Sequence, residues 1–526
     1  MSSEPSYTVS YADLKAMSGG ALAPACVLAR VGNSVIGVFA LCLGLAVLVR
    51  YNGLFPSVID WDVSLYAVMA QHWLQGDLPY EAVWDQHSVG LPALFAAILY
   101  VFPKSMVALR LSACVAVAAT TTTVYVAARR IDRGWVAPLA AVVLYTAWTA
   151  RLWGLSGNTE IYLNALIAPA MYMLMCQSEA PPGGTRSIAR LCLAALLLGV
   201  AFQVKHVALA TTALFFGAML AATLRNGRTY AARALAAAAG CFLLPSLVVT
   251  AYFCAEGLAA QYFHAVVVAN LVYVTDRPGV ADILAHLPRS FIIPIGAIVA
   301  AAGIAWKRPD RRVAFVLAWA VAALIDVALP GKFWPHYFLL IMPPAALLAG
   351  LAAAAAYRAW GRSFALAVPV LVLLACNPVG VYADSMLTRA LGHRDVPEII
   401  AGVIGEDLSP KDSIFVFNYQ PVLYFLTGAR LPTRHVLPAD WAQRYSAVTG
   451  VDPLEELDKV FRARPEYVVF LDNDWIRMGN GVLASLHRHL AGYEKRFEIM
   501  DEQILPKPVM VEVYRRRSDT HILKTP

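Results

Sequence analysis

Long apolar runs, separated by short polar or basic segments, occupy most of positions 1–383 of the chain. A membrane-spanning helix needs roughly 20 predominantly apolar residues, and the runs approach or reach that length. We therefore predict a polytopic α-helical membrane protein with about 11 transmembrane helices. The predicted spans are residues 33–50, 106–128, 135–150, 161–177, 190–204, 206–224, 232–254, 290–306, 313–329, 336–357 and 363–379. A further apolar piece, 90–102, is short and flanked by prolines, which favours a helix lying in the membrane interface.

The pattern changes after position 383, where charged residues become frequent. Runs typical of β-strands occur at Ser413–Asn418, Tyr467–Leu471 and Val509–Tyr514, with helical periodicity between them, as in Leu454–Arg464. The sequence therefore predicts two parts: residues 1–383 as a transmembrane domain and residues 384–526 as a small α/β domain outside the membrane.

The composition agrees with this division, since 59% of the residues are hydrophobic and only 15% are charged. Soluble domains are typically about 45–50% apolar and about 25% charged. The net charge of +7 does not indicate nucleic-acid binding, because the basic residues are spread over short loops. None of the eight cysteines shows CxxC spacing, so they are expected to be small buried side chains.

The basic loops also predict the orientation of the chain. If the spans are as predicted, five arginine- or lysine-bearing loops fall on one side, which the positive-inside rule makes cytoplasmic. The loop 51–105 and residues 384–526 then face outward. A high content of alanine, and of arginine relative to lysine, is typical of a bacterium. We therefore expect a multi-pass protein of the bacterial inner membrane, with its first loop and C-terminal domain in the periplasm.

The first outward loop contains two carboxylates, Asp60 and Asp62, directly after a predicted span. Acidic side chains beside hydrocarbon are costly, and they mark functional sites by default. The structural alternative is that Asp62 caps a helix that starts near Ser64. If the loop is extended instead, both carboxylates point the same way, and the pKa of one rises to suit a general base.

Outward cations accompany these acids. Activated donors outside the cytoplasm are expected to be carried on a lipid phosphate, because nucleotide sugars are absent there. Sugar transfer from such a donor needs a general base for the acceptor hydroxyl and cations for the departing phosphate. Asp60 and Asp62 are candidate bases, and the candidate phosphate partners are Lys205, Arg151, Arg289 and Lys332.

Four ordered motifs resemble the lipid-phosphate-dependent glycosyltransferases of the GT-C fold. This group includes the protein O-mannosyltransferases and the bacterial aminoarabinose and galacturonosyl transferases. The first motif is Asp62-x-x-x-Tyr66, followed by Gly76-Asp77-x-Pro79-Tyr80. The others are Gly157-Asn158-Thr159-Glu160, Gln203-Val204-Lys205-His206 and Gly331-Lys332-Phe333-Trp334-Pro335-His336-Tyr337-Phe338. Each motif is weak by itself, and their order over nearly the whole chain is what makes the resemblance specific.

The resemblance implies inverting transfer of a sugar from a polyprenyl-phosphate donor to an outward-facing hydroxyl on a glycolipid, glycan or protein. Asp62 matches the catalytic aspartate of the family. Many members carry a glutamate directly after it, whereas this chain has Val63, which argues against a role that needs two adjacent carboxylates. Asp60 is then expected to act as a helper, although residues i and i+2 do not share a helix face. Glu160 is then expected to position donor or acceptor. The residues expected to bind substrate, and the donor phosphate in particular, are Lys205, Tyr66, Tyr80, His336, Tyr337 and Arg289.

Several alternatives stay open. A transporter or flippase of lipid-linked sugars also needs outward polar groups, although the matching broken spans of many transporters are not evident here. Glu160 has a structural explanation in the helix dipole. Lys205 has one in an interfacial position, and His336 and Tyr337 in an interfacial belt. A divalent cation on His87 and His206 stays open as a cofactor, without a supporting ligand spacing.

Two further segments are candidates for a metal motif and for a gate over the site. Asp472-Asn473-Asp474 has the form of a DxD metal motif, but a turn at a strand end explains it better outside the cytoplasm. The outward segment 257–289 has mixed polarity and lies between spans, and we interpret it as a mobile gate over the site.

Overall fold

A computed structural model describes most of the chain: residues 34–151, 153–177, 185–275, 295–296, 298–300, 302–303, 310–361, 394–441, 446–471, 478–502 and 508–517. The apolar runs predicted over 290–306 and 363–379 lie largely or wholly outside these residues. Asp472-Asn473-Asp474 and Arg289 also lie outside them, as does most of the C-terminal half of 257–289.

The other predicted spans are helical. The helices of the first part are α1 (Val35–Arg50), α2 (Trp61–Leu74), α3 (Gly90–Val101), α4 (Met106–Ile131), α5 (Val136–Thr149), α6 (Thr159–Gln177), α7 (Thr185–Val204), α8 (Leu209–Leu224), α9 (Arg228–Ala255), α10 (Ala259–Phe263), α11 (Ala269–Tyr273), α12 (Arg311–Ala328) and α13 (Met342–Trp360). A π-helical turn, His264–Val268, joins α10 to α11, and a 3-10 turn, Pro335–Ile341, leads into α13.

Six helical segments in the described ranges are long and apolar enough to cross a membrane. They are Val35–Gly53, Met106–Ile131, Thr159–Gln177, Thr185–Val204, Arg228–Ala255 and Pro335–Ala359. The count of about 11 remains a prediction. The short run at 90–102 is the helix α3, and its interfacial position also remains a prediction.

Short polar side chains determine where several helices begin. Ser105 and Asp310 accept backbone N–H groups at the starts of α4 and α12. Asp60 does the same for α2, because its carboxylate accepts the N–H of Asp62 at 2.9 Å. The cap is therefore Asp60, and the helix starts at Trp61. This corrects both the assignment of the cap to Asp62 and the option of an extended backbone there.

Small residues allow the long helices to pack closely. A Cβ added to Gly199 of α7 would lie 2.2 Å from the carbonyl oxygen of Phe242 in α9. One added to Gly350 of α13 would lie 2.4 Å from that of Ala137 in α5. The backbones at these two crossings are therefore close enough that only glycine fits.

The C-terminal part contains a four-stranded mixed sheet in the order β1-β2-β4-β3. Its strands are β1 (Ile414–Phe417), β2 (Tyr467–Leu471), β3 (Tyr493–Asp501) and β4 (Val509–Arg516). β1 and β2 are parallel, whereas β4 is antiparallel to both β2 and β3. The helices are α14 (Val396–Gly405), α15 (Val422–Thr427), α16 (Ser446–Thr449), α17 (Pro453–Arg462) and α18 (Asn480–Leu490).

Strands β1, β2 and β4 and helix α17 confirm the predicted elements, whereas β3 was missed. β3 pairs with β4 alone at the sheet edge, and most of its residues are exposed or half-buried. Its sequence, Tyr493-Glu494-Lys495-Arg496-Phe497, carries charges where a strand with a buried face would carry apolar side chains. An edge strand tolerates such charges because it does not need two buried faces.

The C-terminal part packs directly on the first loop of the transmembrane part. Asp395 caps α14 and accepts both the backbone N–H of Ser57 at 2.5 Å and its hydroxyl at 2.9 Å. Farther along, the N–H of Trp84 donates to the carbonyl of Arg434 at 2.9 Å. The loop 51–105 is thus held between the helices and the sheet-bearing part.

Candidate active site

Asp60 and Asp62 lie together at the N-terminus of α2. Besides capping the helix, Asp60 accepts the side-chain amide of Asn158 at 3.4 Å, which ties it to the start of α6. Both acids are half-buried. Val63, where many members of the family have glutamate, is buried in the apolar core. The position after Asp62 therefore points away from the acidic pair.

Burial raises the pKa of both carboxyl groups. For Asp62 the shift is to about 6, with removal from water as the larger cause and the negative charge of Asp60 as the second. Burial also dominates the raised pKa of Asp60, although its hydrogen bonds to the Asp62 N–H and to Asn158 oppose the shift. A carboxylate whose pKa lies near 6 accepts a proton more readily than an ordinary aspartate.

A buried ion pair faces these acids. The Lys205 ammonium donates to a Glu160 carboxylate oxygen at 2.7 Å, and the two side chains are 4% and 0% exposed. The other Glu160 oxygen accepts the Thr159 hydroxyl at 3.1 Å. The charges of Glu160 and Lys205 act on Asp60, so the start of α6 and the end of α7 lie close to the start of α2.

The fourth motif that resembles the family, around the 3-10 turn before α13, contacts the same group of residues. The Lys205 ammonium lies 4.2 Å from the centroid of the Tyr337 ring, a cation–π contact. The His336 ring contacts the rings of Tyr337 and Trp153, whose centroids lie 4.8 and 5.8 Å away. His336 is close enough for its charge to act on Asp62. Its Nδ1 is buried and accepts no hydrogen bond from the described residues.

A second acid–histidine group lies beside Tyr66 of α2. His87 Nδ1 is 3.0 and 3.1 Å from the two carboxylate oxygens of Asp85, and 3.3 Å from the Tyr66 hydroxyl. Tyr66 follows Asp62 by four residues, so the two side chains share one face of the helix. Tyr80 is fully buried and donates its hydroxyl to the carbonyl of His87 at 2.9 Å. This hydrogen bond fixes the backbone of the loop at His87.

Close backbone contacts fix this arrangement. A Cβ on Gly90 would lie 2.5 Å from the carbonyl oxygen of Gln203, so the start of α3 touches the turn that carries Lys205. The buried Arg50 donates to the carbonyls of Thr149 at 3.1 Å and of Gly154. These bonds anchor the loop that leads to Asn158 and Glu160.

The remaining sequence-predicted cations have other neighbours. The Lys332 ammonium lies 4.6 Å from the centroid of the Tyr273 ring, next to α11, and Arg151 is exposed. Arg289 is outside the described residues. Asp60, Asp62, Glu160, Lys205, Tyr66, His336 and Tyr337 form one connected group, which is the candidate active site.

The open question of a divalent cation gains no support. Within the described ranges, no three His, Cys, Asp or Glu side chains are grouped so that they could hold a metal ion. His87 and His206 are near enough to interact electrostatically, but the described part of the chain adds no group of three ligands around them.

Two residues at the site were not predicted, namely Asn158 and Asp85. Asn158 belongs to the same motif as Glu160, and its side-chain amide contacts Asp60. The Asp85-x-His87 spacing was the available signal for the second, because a carboxylate two residues from a histidine can orient the ring.

Comparison with known proteins shows similarity of structure. No protein-family model and no curated protein matches the sequence. Among solved structures, ArnT from Cupriavidus metallidurans bound to undecaprenyl phosphate matches with a TM-score of 0.60 and 16% identity, over 90% of this chain and 97% of that one. Its apo form matches with a TM-score of 0.58 and the same identity and coverage.

The apo oligosaccharyltransferase of Archaeoglobus fulgidus matches with a TM-score of 0.50 and 13% identity, over 83% of this chain and 69% of that one. At identities this low, the structural similarity establishes the fold but does not establish the activity. Because the ArnT match covers 90% of this chain, it extends beyond the first part into the C-terminal part. The chain described here therefore has the GT-C fold.

Proposed function

We propose that the protein is a GT-C glycosyltransferase that moves a sugar from a polyprenyl-phosphate donor to a hydroxyl outside the cytoplasm, with inversion at the sugar. The observation that carries this proposal is the convergence of Asp62 with the Lys205–Glu160 pair at the ends of three helices. The fold supports it, because the similar ArnT structure is bound to undecaprenyl phosphate.

In the proposed reaction, Asp62 accepts the proton of the acceptor hydroxyl. That oxygen bonds to the anomeric carbon while the bond from this carbon to the phosphate oxygen breaks. The electron pair of the broken bond leaves with the polyprenyl phosphate. Attack on the face opposite the leaving phosphate inverts the anomeric configuration. The raised pKa of Asp62 suits this role, since proton transfer is most effective when the pKa of the base lies near the working pH.

Lys205 is proposed to stabilise the negative charge that grows on the leaving phosphate. In the structure its ammonium is held by Glu160 and the Tyr337 ring. Such a prearranged cation needs little reorganisation when the phosphate departs. Glu160 then orients Lys205, and Asp60 starts α2 so that Asp62 stands on its first turn.

The test is transfer by the purified protein in lipid vesicles. Polyprenyl-phosphate donors with radiolabelled sugars are incubated with glycolipid, glycan and peptide acceptors, and the products are separated and their anomeric configuration is determined. We expect a new glycosidic bond of inverted configuration. Loss of transfer in Asp62→Asn, with retention in Asp60→Asn, would single out Asp62. Movement of the labelled lipid across the bilayer without a new glycosidic bond would support a flippase and would refute the proposed glycosyltransferase activity.

A further inference from the structure

The group Asp85–His87–Tyr66 is not needed for the proposed base or for the proposed phosphate ligand, yet it is built into the same site. Asp85 and Tyr66 are 4% and 1% exposed. Buried polar groups in such an arrangement are costly unless each finds a partner. Here one imidazole nitrogen, His87 Nδ1, serves both the carboxylate and the phenol.

The carboxylate determines which nitrogen of His87 carries hydrogen. An ionised carboxylate only accepts hydrogen bonds, so the nitrogen at 3.0 Å from Asp85 must be the protonated one. This fixes the tautomer with hydrogen on Nδ1, as a carboxylate partner commonly does for histidine.

The Tyr66 hydroxyl therefore meets an N–H at His87 rather than a lone pair. At 3.3 Å its oxygen accepts from His87 Nδ1, which Asp85 shares. The hydrogen of the phenol is then free to donate in another direction. Asp62 stands one helical turn before Tyr66, and the charges of both Asp85 and Asp62 act on the Tyr66 phenol.

The loop that carries this group is held on both sides. Tyr80 fixes the carbonyl of His87. In the C-terminal part, the carbonyl of Arg434 accepts the N–H of Trp84, directly before Asp85, and the His435 ring lies 5.7 Å from the Trp84 indole. The arrangement is therefore a rigid one.

We propose that Asp85 and His87 are positioning residues, which orient the Tyr66 hydroxyl as a hydrogen-bond donor toward Asp62 and the reacting groups. The inference rests on the proposed function and adds to it a residue pair that acts through Tyr66. Partners of this kind, one step removed from the reacting atoms, are typically worth about 10- to 100-fold in activity, as in metal sites.

The first experiment measures kcat and KM for transfer of radiolabelled sugar from a polyprenyl-phosphate donor by the full-length protein in vesicles. We expect Asp85→Asn to lower kcat about 10- to 100-fold, with KM for the donor little changed. Tyr66→Phe should lower kcat similarly, and adding Asp85→Asn to it should have no further effect. Asp458→Asn breaks an exposed Asp–His pair of 2.8 Å in the C-terminal part and should leave kcat unchanged.

A second pair of variants distinguishes orientation from simple packing. The amide of asparagine reaches the position of Nδ1, whereas that of glutamine reaches the position of Nε2. His87→Asn keeps an N–H between Asp85 and Tyr66, so it should retain most of kcat, whereas His87→Gln should not. The reverse order would overturn the proposal, because it would assign the role to Nε2.

The outcomes separate this inference from the proposed function. If the wild-type protein transfers sugar but Asp85→Asn is unaffected, the positioning role is refuted and the function stands. The same holds if the effects of Asp85→Asn and Tyr66→Phe on kcat multiply. If the wild-type protein forms no glycosidic bond from any donor, the proposed function fails, and the positioning role fails with it.

Discussion

The Lys205–Glu160 pair offers a test that separates stability from activity. Its atoms are 2.7 Å apart, and both side chains are almost completely buried. In Lys205→Met, the Glu160 carboxylate keeps only the Thr159 hydroxyl among its side-chain partners in the described structure. Removing one member of a buried ion pair typically costs about 3–5 kcal/mol, because the other charge stays buried without compensation.

The double variant Glu160→Gln/Lys205→Met removes both charges. Replacing a whole buried pair with neutral side chains is often nearly neutral, so the double variant should recover most of the roughly 3–5 kcal/mol that the single variant loses. Transfer should nevertheless be lost in both, since neither retains the ammonium that is proposed to bind the phosphate.

The free energy of unfolding is measured by titrating protein in mixed micelles with SDS and following tryptophan fluorescence. Lys459→Met is the control, because its ion pair with Glu456 is exposed on the lysine side. Surface pairs contribute about 0–1 kcal/mol, so this variant should unfold close to wild type. If the free energy of unfolding of Lys205→Met equals that of the wild type, Lys205 and Glu160 do not form a buried ion pair. Full transfer by the double variant would refute the phosphate role of Lys205.

Further predictions concern the pH dependence of transfer, the contact at Gly90 and the helix cap at Asp395. The transfer rate should rise as the pH increases through about 6, because Asp62 must be ionised to accept a proton. Asp60→Asn keeps a helix cap but removes the charge that helps raise this pKa, so the midpoint of the pH–rate profile should move to lower pH; an unchanged midpoint would contradict the coupling. Gly90→Ala places a Cβ 2.5 Å from the Gln203 carbonyl and should lower kcat by up to about 100-fold, whereas Gly217→Ala, in open space, should have no effect on kcat. Asp395→Ala should destabilise more than Ser57→Ala, because it removes two hydrogen bonds to a carboxylate, worth about 1.5–3 kcal/mol each, together with a helix cap. Equal free energies of unfolding for these two variants would contradict that contact.

Much of the architecture could be predicted from local pattern. The apolar runs specified the helices because a helix in hydrocarbon must be apolar over most of its length. Strands β1, β2 and β4 were evident because their buried faces need runs of apolar, β-branched and aromatic residues. Strand β3 was not evident, since an edge strand with exposed charges has no such requirement.

The site shows the same division. The sequence predicted Asp62 and Lys205 because charged residues beside apolar runs are costly and therefore informative. Glu160 and His336 were predicted from the family resemblance, and the roles of all four stay predictions. Only the tertiary structure brought the ends of α2, α6 and α7 together and showed that Lys205 is already paired with Glu160. It also decided that Asp60, not Asp62, caps α2, and that Asp85 holds His87 against Tyr66. These contacts join residues from different helices and loops, and they depend on the direction of each side chain. The pattern of residues along the chain carries no information about distances between such residues.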